Sequence, residues 1–187
     1  FNLDTRTAAA DLANDTNLIT FREARPTIKK QPVQQWEHST EIPAQTPNDH
    51  FDLGKADHVY RYRDTNGNPV GVVMRWDKTQ HREKEIRPLA WIQMHNKRGP
   101  EWKWCGFAEP RPLYKGELLK QKPDAPVVIV EGEKAVEALQ PLLPDHIILT
   151  WCGGTGQLGK ADFSALKDRK VTIWPDNDEP GHKAAKA

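Results

Sequence analysis

Val127-Val128-Ile129-Val130-Glu131-Gly132-Glu133-Lys134-Ala135 is the stretch on which the fold turns. An unbroken β-branched run suits a strand buried on both faces, the usual state of a strand in a parallel sheet. Gly132 lets the backbone turn sharply where that strand ends. The residues after it, 133–143, place Ala135, Val136, Ala138, Leu139 and Leu142 on one side of a helix. Outward from there the alternation continues. Residues 147–151 read as a second strand, 153–159 as a Gly-rich loop, 161–168 as a short helix, 171–174 as a third strand and 179–187 as the start of a third helix. Strand–helix–strand–helix–strand predicts a parallel sheet with helices on its faces.

The chain before this unit has another character. Residues 58–63 and 70–76 are short β-like runs on either side of Asp64-Thr65-Asn66-Gly67-Asn68, and Asn-Gly is a strong hairpin signal. Residues 86–92, interrupted at Pro88, and 102–107 are two more β candidates. Trp76, Trp91, Trp102 and Trp104 all fall in this region. Further back, 5–14 read as a short helix with Thr5 as N-cap. Residues 24–50, carrying Pro26, Pro32, Pro43 and Pro47, read as a linker or extended arm. The expected organisation is an N-terminal helix and Pro-rich arm (1–54), a small, mostly antiparallel β module (55–123) and an α/β unit (124–187).

Composition narrows the class. With 187 residues, 37% apolar and 28% charged, at a mean hydropathy of −0.77, the chain is polar but its apolar residues are clustered, which argues against wholesale disorder. The run at 127–130 is far too short to span a membrane, and no charged-then-apolar leader opens the sequence. A start at Phe1 is the start expected of a fragment or a processed chain. Cys105 and Cys152 are too few for a disulfide framework or a cysteine-based zinc site, and a cytoplasmic setting fits them. The net charge of +1 hides an uneven distribution. Residues 1–54 carry a net of −3, 55–122 a net of +7 and 123–187 a net of −3. A basic middle beside an acidic end predicts a polyanion-binding surface next to a carboxylate site.

The carboxylates sit where strands end. Glu131-Gly132-Glu133 follows the first strand of the α/β unit, and Asp176-Asn177-Asp178 follows the third. Ligands of open α/β sheets bind outside the carboxyl ends of the strands, so both motifs face one edge. In extended backbone Asp176 and Asp178 project to one side. Carboxylates gathered there repel one another unless a cation binds, and hard oxygen ligands favour Mg²⁺ or Mn²⁺, with substrate phosphates completing the shell. Either motif alone reads as well as solvated loop charge. Together, each at a strand end, they point to a metal site. An EF-hand reading fails, because Pro180 and Ala187 occupy ligand positions.

The loop Gly154-Thr155-Gly156-Gln157-Leu158-Gly159 matches G-x-G-x-x-G, and with Lys160 it also matches the start of a P-loop. A dinucleotide site needs a full helix opening at the loop, for which there is little room before the next strand. A P-loop needs Ser or Thr where Ala161 stands. Both readings leave Glu131-Gly132 and the basic region unexplained. A plain loop, flexible or touching phosphate, fits better.

Glu131-Gly132 after a first strand, Gly153-Gly154 after a second, and Asp176-Asn177-Asp178 followed by Gly181, Ala184 and Ala185 together resemble a Toprim domain, the metal-binding catalytic domain of topoisomerases and bacterial DnaG-type primases. The resemblance covers 125–187. Ahead of it, Asp64-Thr65-Asn66-Gly67, a strand ending in Arg75, then Lys84 and Arg111-Pro112-Leu113-Tyr114, are similar to the primase module that precedes Toprim. The style is closest to primases or primase-helicases of phages, plasmids and integrated elements. The family pattern continues with another strand and helix, so the Toprim sheet is expected to be incomplete at its C-terminal end. The segment shows no zinc ribbon and no helicase motor.

The resemblance implies a DNA primase core that makes RNA primers on single-stranded DNA from NTPs by Mg- or Mn-dependent nucleotidyl transfer. Asp176, Asp178 and Glu131 would hold metal, with Glu131 also placed as the catalytic base and Glu133 assisting. Gly132, Gly153, Gly154 and Gly181 would be the turns of the site. Arg75, Lys84 and Arg111, with Arg87 and Lys103, would contact template or nucleotide, and Lys134 a phosphate. A replicative helicase, separate or fused, is the expected partner, with no membrane and no zinc. Trp91, Trp102 and Trp104 read as core before they read as base-stacking platforms. The histidines, His81, His95 and His182 among them, show no metal-ligand spacing and read as surface residues. Cys105 and Cys152 read as buried small side chains. A Toprim nuclease and a non-catalytic nucleic-acid-binding module are the alternatives. A topoisomerase needs a nucleophilic tyrosine, and Tyr60, Tyr62 and Tyr114 all lie in the β module.

Overall fold

Ten short strands form three sheets in the computed structural model, which describes residues 36–39, 43 and 46–186. In order they are β1 (Trp36–His38), β2 (Asp49–His50), β3 (Gly54–Lys55), β4 (His58–Arg63), β5 (Pro69–Trp76), β6 (Glu85–Met94) and β7 (Glu101–Trp104), then α1 (Leu118–Gln121), β8 (Val127–Val130), α2 (Glu133–Leu139) and β9 (Ile147–Leu149). Two 3-10 segments (Thr155–Lys160 and Ser164–Leu166), β10 (Val171–Trp174) and α3 (Glu179–Ala184) complete the chain. The protein is thus mixed α/β, an antiparallel sheet beside a parallel one. The helix expected at 5–14 and most of the Pro-rich arm lie outside the described residues.

The antiparallel sheet grows from the Asn-Gly turn. Asp64 accepts backbone bonds from Asn66 (2.9 Å) and Asn68 (2.8 Å) and fixes the hairpin of β4 and β5. β6 runs beside β5 and also pairs with β7 and β1. Pro88 does not interrupt β6. It lies ahead of Leu89, where the β7 ladder begins, so β6 has a partner there on one side only and the missing N–H is tolerated. Trp36–His38, in the stretch read as an arm, is a strand of this sheet.

β8 is the central strand of the parallel sheet, between β10 and β9, in the register Val127↔Val171 and Val127↔Ile147. Its two faces feed two cores. Val128 and Val130 pack with Val136, Ile148, Tyr60, Tyr62, Val73, Ala90, Ile92 and Phe107, so the two large sheets share one apolar layer. Val127 and Ile129 pack with Ile147, Leu149, Val171, Leu166 and Leu119 on the other side. The outer face of the antiparallel sheet, carrying Val72, Met74, Trp76 and Leu89, is covered by Leu53, Ala56, Trp102 and Trp104.

Three expectations are corrected. The helix after Glu131 ends at Leu139, leaving Leu142 beyond it and exposed, because Pro141 cannot continue it, and Ala138, within the helix, faces outward. The segment 161–168 is not an α-helix. Two 3-10 turns occupy the region, too short and tight for a dinucleotide-binding helix. Cys105 is half-buried where a buried thiol is expected, whereas Cys152 is buried.

Candidate functional site

The parallel pairing carries Glu131 and Asp176 to the same edge. Trp174 stands opposite Val130, so the residues after each strand leave the sheet side by side. Gly132 makes the exit at φ 84°, ψ 149°, a conformation closed to side-chain-bearing residues, and its N–H donates to Thr150 Oγ1 at 2.9 Å. Glu131 Oε1 is buried with no hydrogen-bond partner. Burial, then the Asp176 and Asp178 carboxylates, push the Glu131 carboxyl above its ordinary pKa, with a hydrogen bond from the Asp176 backbone opposing them. Gly181 closes the group from α3. A Cβ there would stand 2.5 Å from the Asp176 carbonyl and 2.7 Å from Glu131 Oε1, so only glycine fits.

Asp176-Asn177-Asp178 does not run extended. The Asp178 N–H donates to the Asp176 carbonyl at 2.8 Å, the chain bends, and Asp178 Oδ1 caps α3 by accepting from Gly181 N at 2.7 Å. The backbone between the two aspartates is therefore bent where an extended run was expected, and both carboxylates act on Glu131. Among the described residues, no three His, Cys, Asp or Glu side chains stand close enough together to hold a metal ion as placed. The orphaned oxygen of Glu131 beside Asp176 and Asp178 nevertheless fits a hard cation, since a buried oxygen without a donor is what such an ion satisfies.

Glu133, the second acid of the motif, turns inward. It is 7% exposed and accepts from Tyr62 Oη at 2.8 Å. Burial raises its pKa, with the Tyr62 bond and the Arg75 guanidinium acting against that. Cys152 lies next to it. Its thiol is pushed up to about 12 by burial and then by Glu133, with Arg111 opposing.

The basic residues do not form one surface. Arg75 is on the inner face of β5 beside Val73, and Lys134 is on α2. Both reach Asp77, Arg75 Nε at 2.6 Å and Lys134 Nζ at 2.8 Å, and His58 Nε2 joins them at 3.2 Å. Lys134 and then Arg75 hold the Asp77 carboxyl well below the usual carboxylate range. Arg111 lies elsewhere, largely buried, donating to Gln157 Oε1 at 3.2 Å beside Gly153, its Nε without a partner. Arg87 pairs with Glu85 at 2.8 Å on the outer face of the antiparallel sheet, the face of Met74 and Leu89. Lys84 and Lys103 are exposed, Lys84 ahead of β6 and Lys103 on β7. Trp91 and Trp102 are half-buried on that outer face with ring centroids 5.1 Å apart, so they are not fully core. His81, His95 and His182 are exposed.

Asp77, Tyr62 and Thr150 were missed by sequence reasoning. Tyr62 alternates with Tyr60 on the inward side of β4, and a buried hydroxyl calls for a partner, which is the one signal available. Nothing in the sequence around Asp77 marks it.

Among the described residues, no helix is long and apolar enough to cross a membrane. No curated protein sequence matches the chain. A solved assembly of the bacteriophage T7 lagging-strand DNA polymerase interacting with primase domains of two gp4 subunits, bound to an RNA/DNA hybrid and dTTP, matches at 16% identity with a TM-score of 0.41. That match covers 68% of this chain and spans 56% of the other. The family profile described as Domain of unknown function (DUF6371) matches residues 31–177, and the chain belongs to that family.

Proposed function

We propose that the chain is the catalytic core of a Toprim-type DNA primase, acting in replication of a phage, plasmid or integrated element. The observation that carries this is Glu131: a buried, unpartnered carboxylate oxygen at the end of a central parallel strand, with Asp176 and Asp178 close enough to raise its pKa. Glu131 and Asp176, with Asp178, would hold Mg²⁺ or Mn²⁺. A divalent ion bound there supplies the positive charge that favours an attacking 3′ oxygen and a departing pyrophosphate. Glu131, its pKa raised, is placed to take the proton of the attacking hydroxyl. Thr150 fixes the turn that orients Glu131, through Gly132 N. Arg75 and Lys134 lie on the site side of the antiparallel sheet, where they would meet nucleotide or single-stranded template.

Incubation with single-stranded DNA, NTPs and Mn²⁺ or Mg²⁺ tests the reading. Template-dependent oligoribonucleotides that vanish in Asp176→Ala are expected. Shortened DNA in their place identifies a nuclease. A second reading, a binding module without catalysis, is favoured by the capping role of Asp178. It predicts no chemistry but salt-sensitive binding of single-stranded DNA.

A further inference from the structure

Asp77 is where two cationic side chains and an imidazole meet. Arg75 Nε donates to Oδ1 at 2.6 Å, Lys134 Nζ to Oδ2 at 2.8 Å, and His58 Nε2 lies 3.2 Å from Oδ2. The donors belong to β5, α2 and β4, which are fixed around the shared core by Val73, Val136 and Tyr60. The acceptor opens the irregular stretch 77–84. Its backbone is tethered, since Asp77 N donates to Asp57 Oδ2 at 2.8 Å and its carbonyl accepts from Arg82 Nη2 at 3.1 Å. Its side chain can therefore leave by a χ1 rotation while the chain stays in place.

Exposed ion pairs add little to stability, so stability gives a weak reason to gather these donors on one acid. Phosphoryl oxygens use the same donors in the same way, with more charge and more acceptor positions than a carboxylate. The place is apt, because Lys134 lies on the segment that turns at Glu131-Gly132, and the Arg75 charge reaches buried Glu133.

We propose that Asp77 occupies the seat of a phosphoryl group: Arg75, Lys134 and His58 form an anion site for a phosphate-bearing ligand, and Asp77 is the intramolecular competitor that the ligand displaces. This deepens the primase reading and rests on it only for the ligand class. The phosphate comes from a nucleoside triphosphate or from a nucleic-acid backbone.

Calorimetric titration of inorganic tripolyphosphate, and separately of a dT oligonucleotide, into wild type and Asp77→Asn tests it. Asp77→Asn is expected to bind at least one of them roughly tenfold tighter, because a competing charge is gone. Adding Arg75→Ala or Lys134→Ala to that variant removes the gain. A gain with tripolyphosphate assigns the seat to a nucleotide's phosphates, and a gain with the oligonucleotide alone assigns it to the backbone. Binding by Asp77→Asn that is no tighter than wild type overturns the proposal. If Asp77→Asn melts early, wild type decides. The Arg75 Nε–H resonance of ¹⁵N-labelled protein moves saturably with ligand if Asp77 is displaced, and a resonance that stays fixed overturns the idea. Failure of primer synthesis with these shifts intact removes the catalytic reading and leaves the anion site. Primer synthesis with binding unchanged by Asp77→Asn does the reverse.

Discussion

Glu133 carries a charge in an unfavourable place. The residue is 7% exposed, and its backbone N–H and the Tyr62 hydroxyl replace only part of the hydration the ionised carboxyl has in the unfolded chain. Its folded pKa is therefore raised, and the folded state holds the proton more tightly than the unfolded state. The contribution of Glu133 to stability is fully present below the unfolded value of about 4.3 and is lost as pH rises through the folded pKa. Glu133→Gln keeps an acceptor for Tyr62 and removes the charge. It is expected to stabilise the protein near neutral pH, with the gain gone near pH 4. Urea melts of both proteins at the two pH values measure this, and an equal difference at both contradicts it. Asp77 has the opposite sign. Its pKa is lowered by Lys134 and Arg75, so its stabilising effect is present above the ordinary carboxylate range and is lost only as pH falls through its depressed value.

At the scale of elements, α3 combines a structural and a proposed chemical role in one residue. Asp178 caps the helix through Gly181 N, and it also lies near enough to Glu131 to raise its pKa. Asparagine caps as well as aspartate but carries no charge. Asp178→Asn should therefore leave the melting temperature in EDTA unchanged and reduce the rise produced by Mn²⁺. Asp178→Ala should also lose about 1 kcal/mol of stability without metal, from the lost cap. An Asp178→Asn protein with a full Mn²⁺ response reduces Asp178 to a cap. The sequence signal for the cap, Glu179 and Pro180 after Asp178, is masked by the metal-ligand reading of the same aspartate. β8 and β10 were legible, because β-branched runs have few other uses in a chain this polar. The end of α2 was misread because Leu142 keeps helical spacing past the point where Pro141 forbids the backbone. β6 was cut at Pro88 because local sequence does not say how many neighbours a strand has. Glu131 and Asp176 were placed together by the rule of strand ends. Tyr62 and Glu133, 71 residues apart, meet only because two sheets pack, and no local pattern carries that information.

The whole molecule decides which charges can act together. Arg75 and Lys134 stand on the side of the carboxylate edge, while Arg87 projects from the opposite face of the antiparallel sheet. If template runs along the carboxylate edge, Arg75→Ala and Lys134→Ala should each lower the slope of log affinity for single-stranded DNA against log salt by roughly 0.7 to 1, and Arg87→Ala should leave it unchanged. Fluorescence anisotropy across a salt series reads this directly. A shift with Arg87→Ala instead would move the template to the outer face, beside Trp91 and Trp102. The same packing bears on how many units the chain contains. Charge and sequence style divide it near residue 123, yet Val128, Val130 and Val136 share their core with Tyr62, Val73 and Phe107. Phe107 is 2% exposed, its ring centroid lies 4.9 Å from that of Tyr62, and it shares one core cluster with Val128, Val130 and Val136. Neither sheet can lose the other without exposing this layer to water. Phe107→Ala should therefore cost about 3–5 kcal/mol and weaken both sheets equally. Native-state hydrogen exchange at the amides of Val73 and Val128 supplies the measurement. The two are expected to lose protection by the same amount, because one cooperative opening exposes both. Loss at Val73 alone would show that the antiparallel module opens by itself and that the boundary written in the charges is also a boundary of folding.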